Sequence, residues 1–422
     1  MIKKILHNKL FKDSFVYVFA DVINKAIPFL LLPVLTYYLS PEDYGLLGIF
    51  NSFVAVMLIL VGFSVQGAIS VNYYKYSKEK LAVYIGNAVY VLLTTFLVLL
   101  TIVTLLKNYL YNKLELPYFW MLIAIAMAFT SYFVLINLSL WIVEQKPESY
   151  GMLQVADTLI KLLLSLYFVI ILGMSWQGNA WGMFLGSLLL GVLSVYLLFK
   201  RGYLKFEYNK KDIKDILHFG TPLIPHQLSF WLRSGAVVFI LMYLVGKKET
   251  GLYNVAYQLI LPVLVLSTAF NKAWAPYLYR KLSSSPNEND KQKIVKFTYV
   301  YFIGILLLAL IIVQIAPYMI RWLLAKDFSD SAVYIKYLSF GAAFHGMYFM
   351  VVNYIFYEKK NKYLAVITFF TSIFNVILAY YLIDNVGAIG AAQAYMATSF
   401  LSFILVWYYS NKVYKMPWKR FV

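Results

Sequence analysis

Three apolar stretches of this chain carry ionisable residues at helical spacing, and these residues have the chemistry to offer. Tyr17, Asp21, Asn24, Lys25 and Pro28 share one helix face. Gln154, Asp157, Lys161 and Ser165 form a second stripe, and His226, Ser229 and Arg233 a third, after Pro222 and Pro225. A charged side chain at the centre of a hydrocarbon layer costs about 2.5–3.5 kcal/mol on insertion scales, so each is a functional candidate by default. Lys25, Lys161 and Arg233 are candidates for holding an anion. Asp21, Asp157 and His226 are candidates for exchanging a proton or a sodium ion. Plainer readings stand beside these. Lys25 and Lys161 each follow an aspartate by four residues and can be neutralised within their own helices. Arg233 has no acid three or four positions away. Isolated histidines such as His226 and His345 also serve as hydrogen-bonded helix contacts. Thr368, Thr371 and Asn375 line one face of a later apolar stretch and read as packing between helices.

The elements that position these residues are membrane helices. Of 422 residues, 62% are hydrophobic and 13% charged, whereas a soluble domain runs at about 25% charged. Aromatic residues make up 19%, led by 38 Tyr and 32 Phe, and the tyrosines suit the boundary between hydrocarbon and headgroups. Apolar windows long enough to cross a bilayer lie near residues 15–38, 45–69, 81–106, 118–143, 151–172, 178–199, 217–245, 251–273, 296–320, 333–357, 363–383 and 387–409. The basic N-terminal run MIKKILHNKLFK is followed by an apolar stretch too long for a signal peptide and without a cleavage site, so it should remain as the first span. Most of the 37 Lys and Arg fall in alternate connections, including Lys78, Arg201, Lys291 and Lys359, while Lys107, Lys113, Lys247, Lys248, Arg321 and Lys326 lie on the other side. The bias puts both termini in the cytoplasm.

The two halves repeat at an offset of 206 residues that drifts by a few residues along the chain, as loop insertions would make it: LSPEDYGLLGIFNSF (39–53) aligns with VGKKETGLYNVAYQL (245–259), VNYYKY (71–76) with YLYRKL (277–282), and WIVEQK (141–146) with IFYEKK (355–360). The expected fold is an all-α membrane protein of about twelve transmembrane helices in two pseudo-symmetric six-helix bundles, a parallel repeat. The bundles span 1–199 and 217–422, joined by a cytoplasmic linker over 200–216 that is either an amphipathic helix or a plain basic connection. The repeat carries Lys25 close to Arg233, so each half sets one cation at nearly the same depth on its first helix, as expected of a site shared by two halves.

Composition and motifs exclude several classes. There is no cysteine, and the histidines are scattered. The sequence has no HExxH, GxxxxGK[ST] or DxD pattern, so no catalytic, metal or cofactor site is expected. The formal charge of +18 lies between apolar spans rather than on a water-facing surface, which excludes nucleic acid. No connection is long enough to fold an aqueous domain.

The pattern FVYVFADVINKAIPFLLLPVLTYYLSPEDYGLLGIFNSF, with its LSPEDYG turn, and NVGAIGAAQAYMATSF near the last span resemble the polysaccharide transport family. These are oligosaccharide flippases of the multidrug, oligosaccharidyl-lipid and polysaccharide exporter superfamily. The resemblance implies a flippase for undecaprenyl-diphosphate-linked oligosaccharide, an O-antigen or capsular repeat unit. It also implies a bacterial cytoplasmic membrane location, alternating access, proton or sodium counterflow, and association with membrane lipids, a polysaccharide polymerase and chain-length machinery. A drug or cation exporter of the same superfamily is the alternative, with a membrane-embedded polymerase or acyltransferase behind it. An exporter's cavity should be acidic, whereas Lys25, Lys161 and Arg233 give the opposite sign.

Overall fold

A computed structural model describes residues 23, 24, 29 and 31–421. Asp21 and Lys25 lie outside the described residues. Every described element is a helix: α1 (31–38), α2 (Pro41–Gly62), α3 (Val65–Tyr73), α4 (Lys78–Leu105), α5 (Lys107–Leu114), α6 (Tyr118–Val143), α7 (Pro147–Leu166), α8 (Trp176–Lys200), α9 (Lys210–Gly220), α10 (Leu223–Leu259), α11 (Leu261–Ser283), α12 (Glu288–Leu323), α13 (Ala332–Tyr357), α14 (Asn361–Val386) and α15 (Ile389–Val413). Among the described residues, ten segments are long and apolar enough to cross a membrane. One of them, Leu223–Ser283, has 61 residues. At about 1.5 Å per residue that is two crossings, and Gly246, at φ 82°, breaks it near its middle. The described segments fall on eleven of the expected apolar windows, and the first window, near 15–38, lies largely outside the described residues.

The chain forms two compact units, one built on Tyr38–Trp231 and the other on Leu32–Tyr37 and the residues from Leu232 onward. The division falls inside α10.

In the first unit α6 is central and packs against α2, α3, α4 and α8, while α8 also packs on α7. The LSPEDYG turn starts α2 by local chemistry. Ser40 Oγ accepts from the Asp43 backbone N–H at 3.1 Å while Asp43 Oδ2 accepts from the Ser40 N–H at 3.1 Å. This reciprocal cap, with Pro41 in the first turn, satisfies donors that a helix N-terminus leaves open. Asp43 also accepts from Ser175, the N-cap of α8, and so ties the two helix starts together. The span expected over 45–69 is interrupted. Phe63 and Ser64 adopt left-handed φ of 47° and 54° between α2 and α3. Ser64 accepts a hydrogen bond from Gln227, and the Phe63 carbonyl packs on Gly220. Tertiary contacts thus hold a conformation that costs a non-glycine residue about 1–2 kcal/mol.

In the second unit α13 is central, against α11, α12 and α15, and α15 also packs on α14. The repeat is visible in backbone detail. After α6, Gln145 takes φ 55° and the Lys146 N–H donates to Trp141 O at 2.9 Å. After α13, Lys359 takes φ 55° and the Lys360 N–H donates to Ile355 O at 3.0 Å. Both are the 6→1 closure of a left-handed helix cap.

The linker differs from expectation. Residues 201–209 are non-helical, and the amphipathic helix is α9, which starts at Lys210 and runs on to Gly220. The span expected to begin at 217 therefore begins at Leu223, after a turn at Thr221–Pro222. Residues 205–209 run along α4. Lys205 N–H donates to Ala82 O at 3.2 Å. The fully buried Asn87 donates to Glu207 O at 2.8 Å and accepts from the Asn209 N–H at 2.8 Å. A Cβ on Gly86 would overlap the Lys205 carbonyl, so only glycine allows this approach. α9 then buries Ile216 and Asp212 and packs on α3 and α4. Asp215 accepts from Tyr84 at 2.8 Å and from Asn72 at 3.3 Å.

Candidate functional site

The second unit encloses Arg233. Its Nη2 donates to Thr371 Oγ1 on α14 at 3.0 Å and to Ser402 Oγ on α15 at 3.3 Å. Asn375, one turn beyond Thr371, donates to the Arg233 carbonyl at 3.2 Å, and its own carbonyl accepts from Thr398 at 2.7 Å. Three helices of one unit therefore meet on this residue. Tyr257, Tyr348, Tyr395 and His345 lie within electrostatic reach of the guanidinium. The rings of Tyr257 and Tyr395 meet edge to face at 5.9 Å, and His345 stacks on Tyr348 at 5.6 Å.

No carboxylate pairs with Arg233 among the described residues. Its Nε is shut off from solvent with no hydrogen-bond partner there. A guanidinium has five N–H donors; hydroxyls take up Nη2, and Nε remains open. A cation withdrawn from water and answered only by neutral oxygens is poorly compensated, and an anion brought to it gains charge-assisted hydrogen bonds.

Lys161 has the plainer environment. Its Nζ lies 2.7 Å from Asp157 Oδ2, with both side chains 20% exposed. This is the i,i+4 pair its spacing allows. Gly186 of α8 packs onto the Lys161 stem, where a Cβ would sit 2.6 Å from Cγ. His226 is exposed and meets Phe230 edge to face at 5.1 Å. Ser229 donates back to the His226 carbonyl at 2.6 Å rather than across to another helix. So of the expected site residues the structure surrounds Arg233 with polar side chains from other helices and pairs Lys161 with Asp157.

Thr371 and Asn375, read from sequence as packing residues, are the immediate partners of Arg233. Ser402, Thr398 and the three tyrosines carry no comparable signal in the sequence. Nothing in their spacing distinguishes them within a chain holding 38 tyrosines. Among the described residues no group of His, Asp or Glu is arranged to hold a metal ion.

Residues 10–282 match the family described as Polysaccharide biosynthesis protein. The chain is 28% identical over 365 residues to the Lsg locus putative protein 1 of Haemophilus influenzae, covering 85% of this chain and 87% of that one. It is 23% identical to the capsular polysaccharide biosynthesis protein CapF of Staphylococcus aureus, covering 95% and 99% of the two chains. Among solved structures, an inward-facing multidrug resistance MATE family transporter of the MOP superfamily superposes with a TM-score of 0.72 at 15% identity, over 92% of this chain and 94% of that one. The lipid II flippase MurJ in an inward closed conformation also gives 0.72, at 14% identity, over 95% and 87%. At such identities the likeness is one of fold.

Proposed function

The chain belongs to the polysaccharide biosynthesis protein family, and on that premise we propose that it is a flippase. Its substrate is an undecaprenyl-diphosphate-linked oligosaccharide, and it carries the headgroup across the bacterial cytoplasmic membrane by alternating access. The observation that carries this reading is Arg233: a guanidinium inside a membrane unit, bonded to Thr371 and Ser402, with Nε open and no paired carboxylate among the described residues. A diphosphate is a multiply charged anion that hydrocarbon excludes, and a fixed, partly desolvated cation replaces part of its hydration. Arg233 holds one phosphate; Lys25, outside the described residues, is the second cation that the sequence offers. Lys161 is the weaker candidate, because Asp157 already neutralises it.

No step of this task requires a covalent intermediate, and the protein acts as a carrier rather than an enzyme. An inside-negative potential favours outward movement of an anion by about 2.3 kcal/mol per charge per 100 mV. A proton or sodium ion taken up at Asp21, Asp157 or His226 then serves to reset the empty carrier. A drug or cation exporter, the alternative reading, needs a negative cavity, and the uncompensated charge at Arg233 has the wrong sign.

The test is reconstitution. Proteoliposomes containing the protein should render a lipid-diphosphate-linked saccharide accessible from the opposite leaflet, and should leave a cationic dye where it was loaded. Transport of the dye without the saccharide overturns the reading. The orientation is checked in intact cells, where single cysteines placed at 78 or 201 of this cysteine-free chain should resist a membrane-impermeant thiol reagent. Labelling of either from outside reverses it.

A further inference from the structure

The linker forms an open groove of about 660 Å³ between Tyr208 and α9, a volume typical of small-molecule sites. Lys210, Lys214 and His218 line it at i, i+4 and i+8, so they form one stripe along the helix. Tyr208, Leu217 and Pro222 supply apolar wall. The acids of α9 are elsewhere. Asp212 is buried and Asp215 is engaged by Tyr84 and Asn72, so no carboxylate lines the groove. Neither Lys210 nor Lys214 pairs with an acid among the described residues. The groove is also held in place, because Asn87 fixes Glu207 and Asn209 just before it and Gly86 admits the Lys205 carbonyl.

We propose that this groove binds the phosphate of an anionic phospholipid headgroup. Charge complementarity selects the anion. The mixed lining selects a lipid over free phosphate, since Tyr208, 70% exposed, lines the groove against Tyr90 of α4, a membrane-crossing helix. Amphipathic rings in such positions sit at headgroup depth. Thr221 and Pro222, at the end of the groove, lead into the helix that carries Arg233, so the bound headgroup touches the segment entering that helix. The proposal is independent of which saccharide is carried.

The test uses the full-length protein in non-ionic detergent, with native mass spectrometry of bound phosphatidylglycerol and phosphatidylcholine of matched acyl chains. The wild type should retain phosphatidylglycerol at least about tenfold better, as two lysines near an anionic phosphate allow. K210Q/K214Q should lose that preference, whereas K210R/K214R and K359Q/K360Q, which do not line the groove, should keep it, all with unchanged unfolding midpoints. Equal retention of the two lipids by wild type, or a preference that survives K210Q/K214Q, overturns the proposal. Displacement of phosphatidylglycerol by millimolar inorganic phosphate also overturns it, because the site would then take free phosphate.

Discussion

Replacing Arg233 with methionine separates a ligand-binding arginine from a structural brace, because the two roles predict opposite effects on stability. Its Nη2 donates two hydrogen bonds, at 3.0 and 3.3 Å. Hydrogen bonds to a charged group are worth about 1.5–3 kcal/mol each. If their purpose is bracing, Arg233→Met should cost about 3–6 kcal/mol, a large share of a typical folding free energy. Against that stands the desolvation of an uncompensated cation, which is itself several kcal/mol and disappears with the charge. Thr371 Oγ1 also donates to Thr368 O at 3.1 Å, so it is not orphaned when the guanidinium leaves. The expected outcome is a midpoint of thermal unfolding in detergent equal to or above wild type for Arg233→Met and Arg233→Gln. Flipping should fall sharply, since two charge-assisted bonds to phosphate correspond to about 10²–10⁴-fold in affinity. Arg233→Lys should fall between, keeping charge without the planar fork. The assay is saccharide-lipid translocation in proteoliposomes, normalised to folded protein by size-exclusion chromatography. A well-folded Arg233→Gln that flips at the wild-type rate refutes the reasoning, as does a destabilised Arg233→Met with normal flipping per folded molecule.

Other perturbations test the frame around that site. Glu144 sits where α6 ends, 2.6 Å from Arg201 and 2.9 Å from Lys146. Burial alone would raise its carboxyl, but hydrogen bonds from Lys146 and Tyr203 and the charge and hydrogen bond of Arg201 hold it below the ordinary value of 4.5. A depressed folded-state pKa gives stability that is full above the ordinary value and lost as pH falls through the lowered one. Glu144→Gln should therefore cost about 1–3 kcal/mol at neutral pH, with the gap to wild type closing in acid; an equal gap at both pH values contradicts this account. For Lys161 and Asp157, Lys161→Met alone should destabilise by about 3 kcal/mol and Lys161→Met/Asp157→Leu by much less. Loss of flipping by the stable double variant would return Lys161 or Asp157 to the transport machinery. Gly86→Ala should displace the Lys205 carbonyl and cost about 1–3 kcal/mol, seen as faster amide exchange over residues 205–209, and unchanged exchange would show that the linker is not held there.

What the sequence made legible follows from how local each cause is. Spans are visible because crossing hydrocarbon is a property of composition over a single helix. The repeat is visible because the caps at Glu144-Gln145-Lys146 and Glu358-Lys359-Lys360 are local chemistry written twice. The break at Phe63–Ser64 is not visible, since neither residue favours a left-handed φ and the contacts that hold it there come from Gln227 and Gly220. The end of the linker is hard to place because Ile216, Leu217 and Phe219 read as the start of an apolar span, although Pro222 marks the turn.

The fate of each cation is decided by neighbours that sequence spacing does not reveal. Lys161 meets Asp157, four residues earlier, and that pairing could be read in advance. Arg201 meets Glu144 and Asn137 from another helix and stacks on Trp141. From sequence it is only one of the positive charges that set orientation, yet it is better neutralised than Arg233. Arg233 is the reverse case. Its isolation from acids was legible along its own helix, but that the helices packed around it supply Thr371 and Ser402 rather than a carboxylate is a fact of tertiary structure. A brace is best built as Arg201 is, with an opposite charge that cancels the desolvation cost. A site for an anion must leave its cation unanswered, and the neutral hydroxyls around Arg233 orient the guanidinium without consuming its charge.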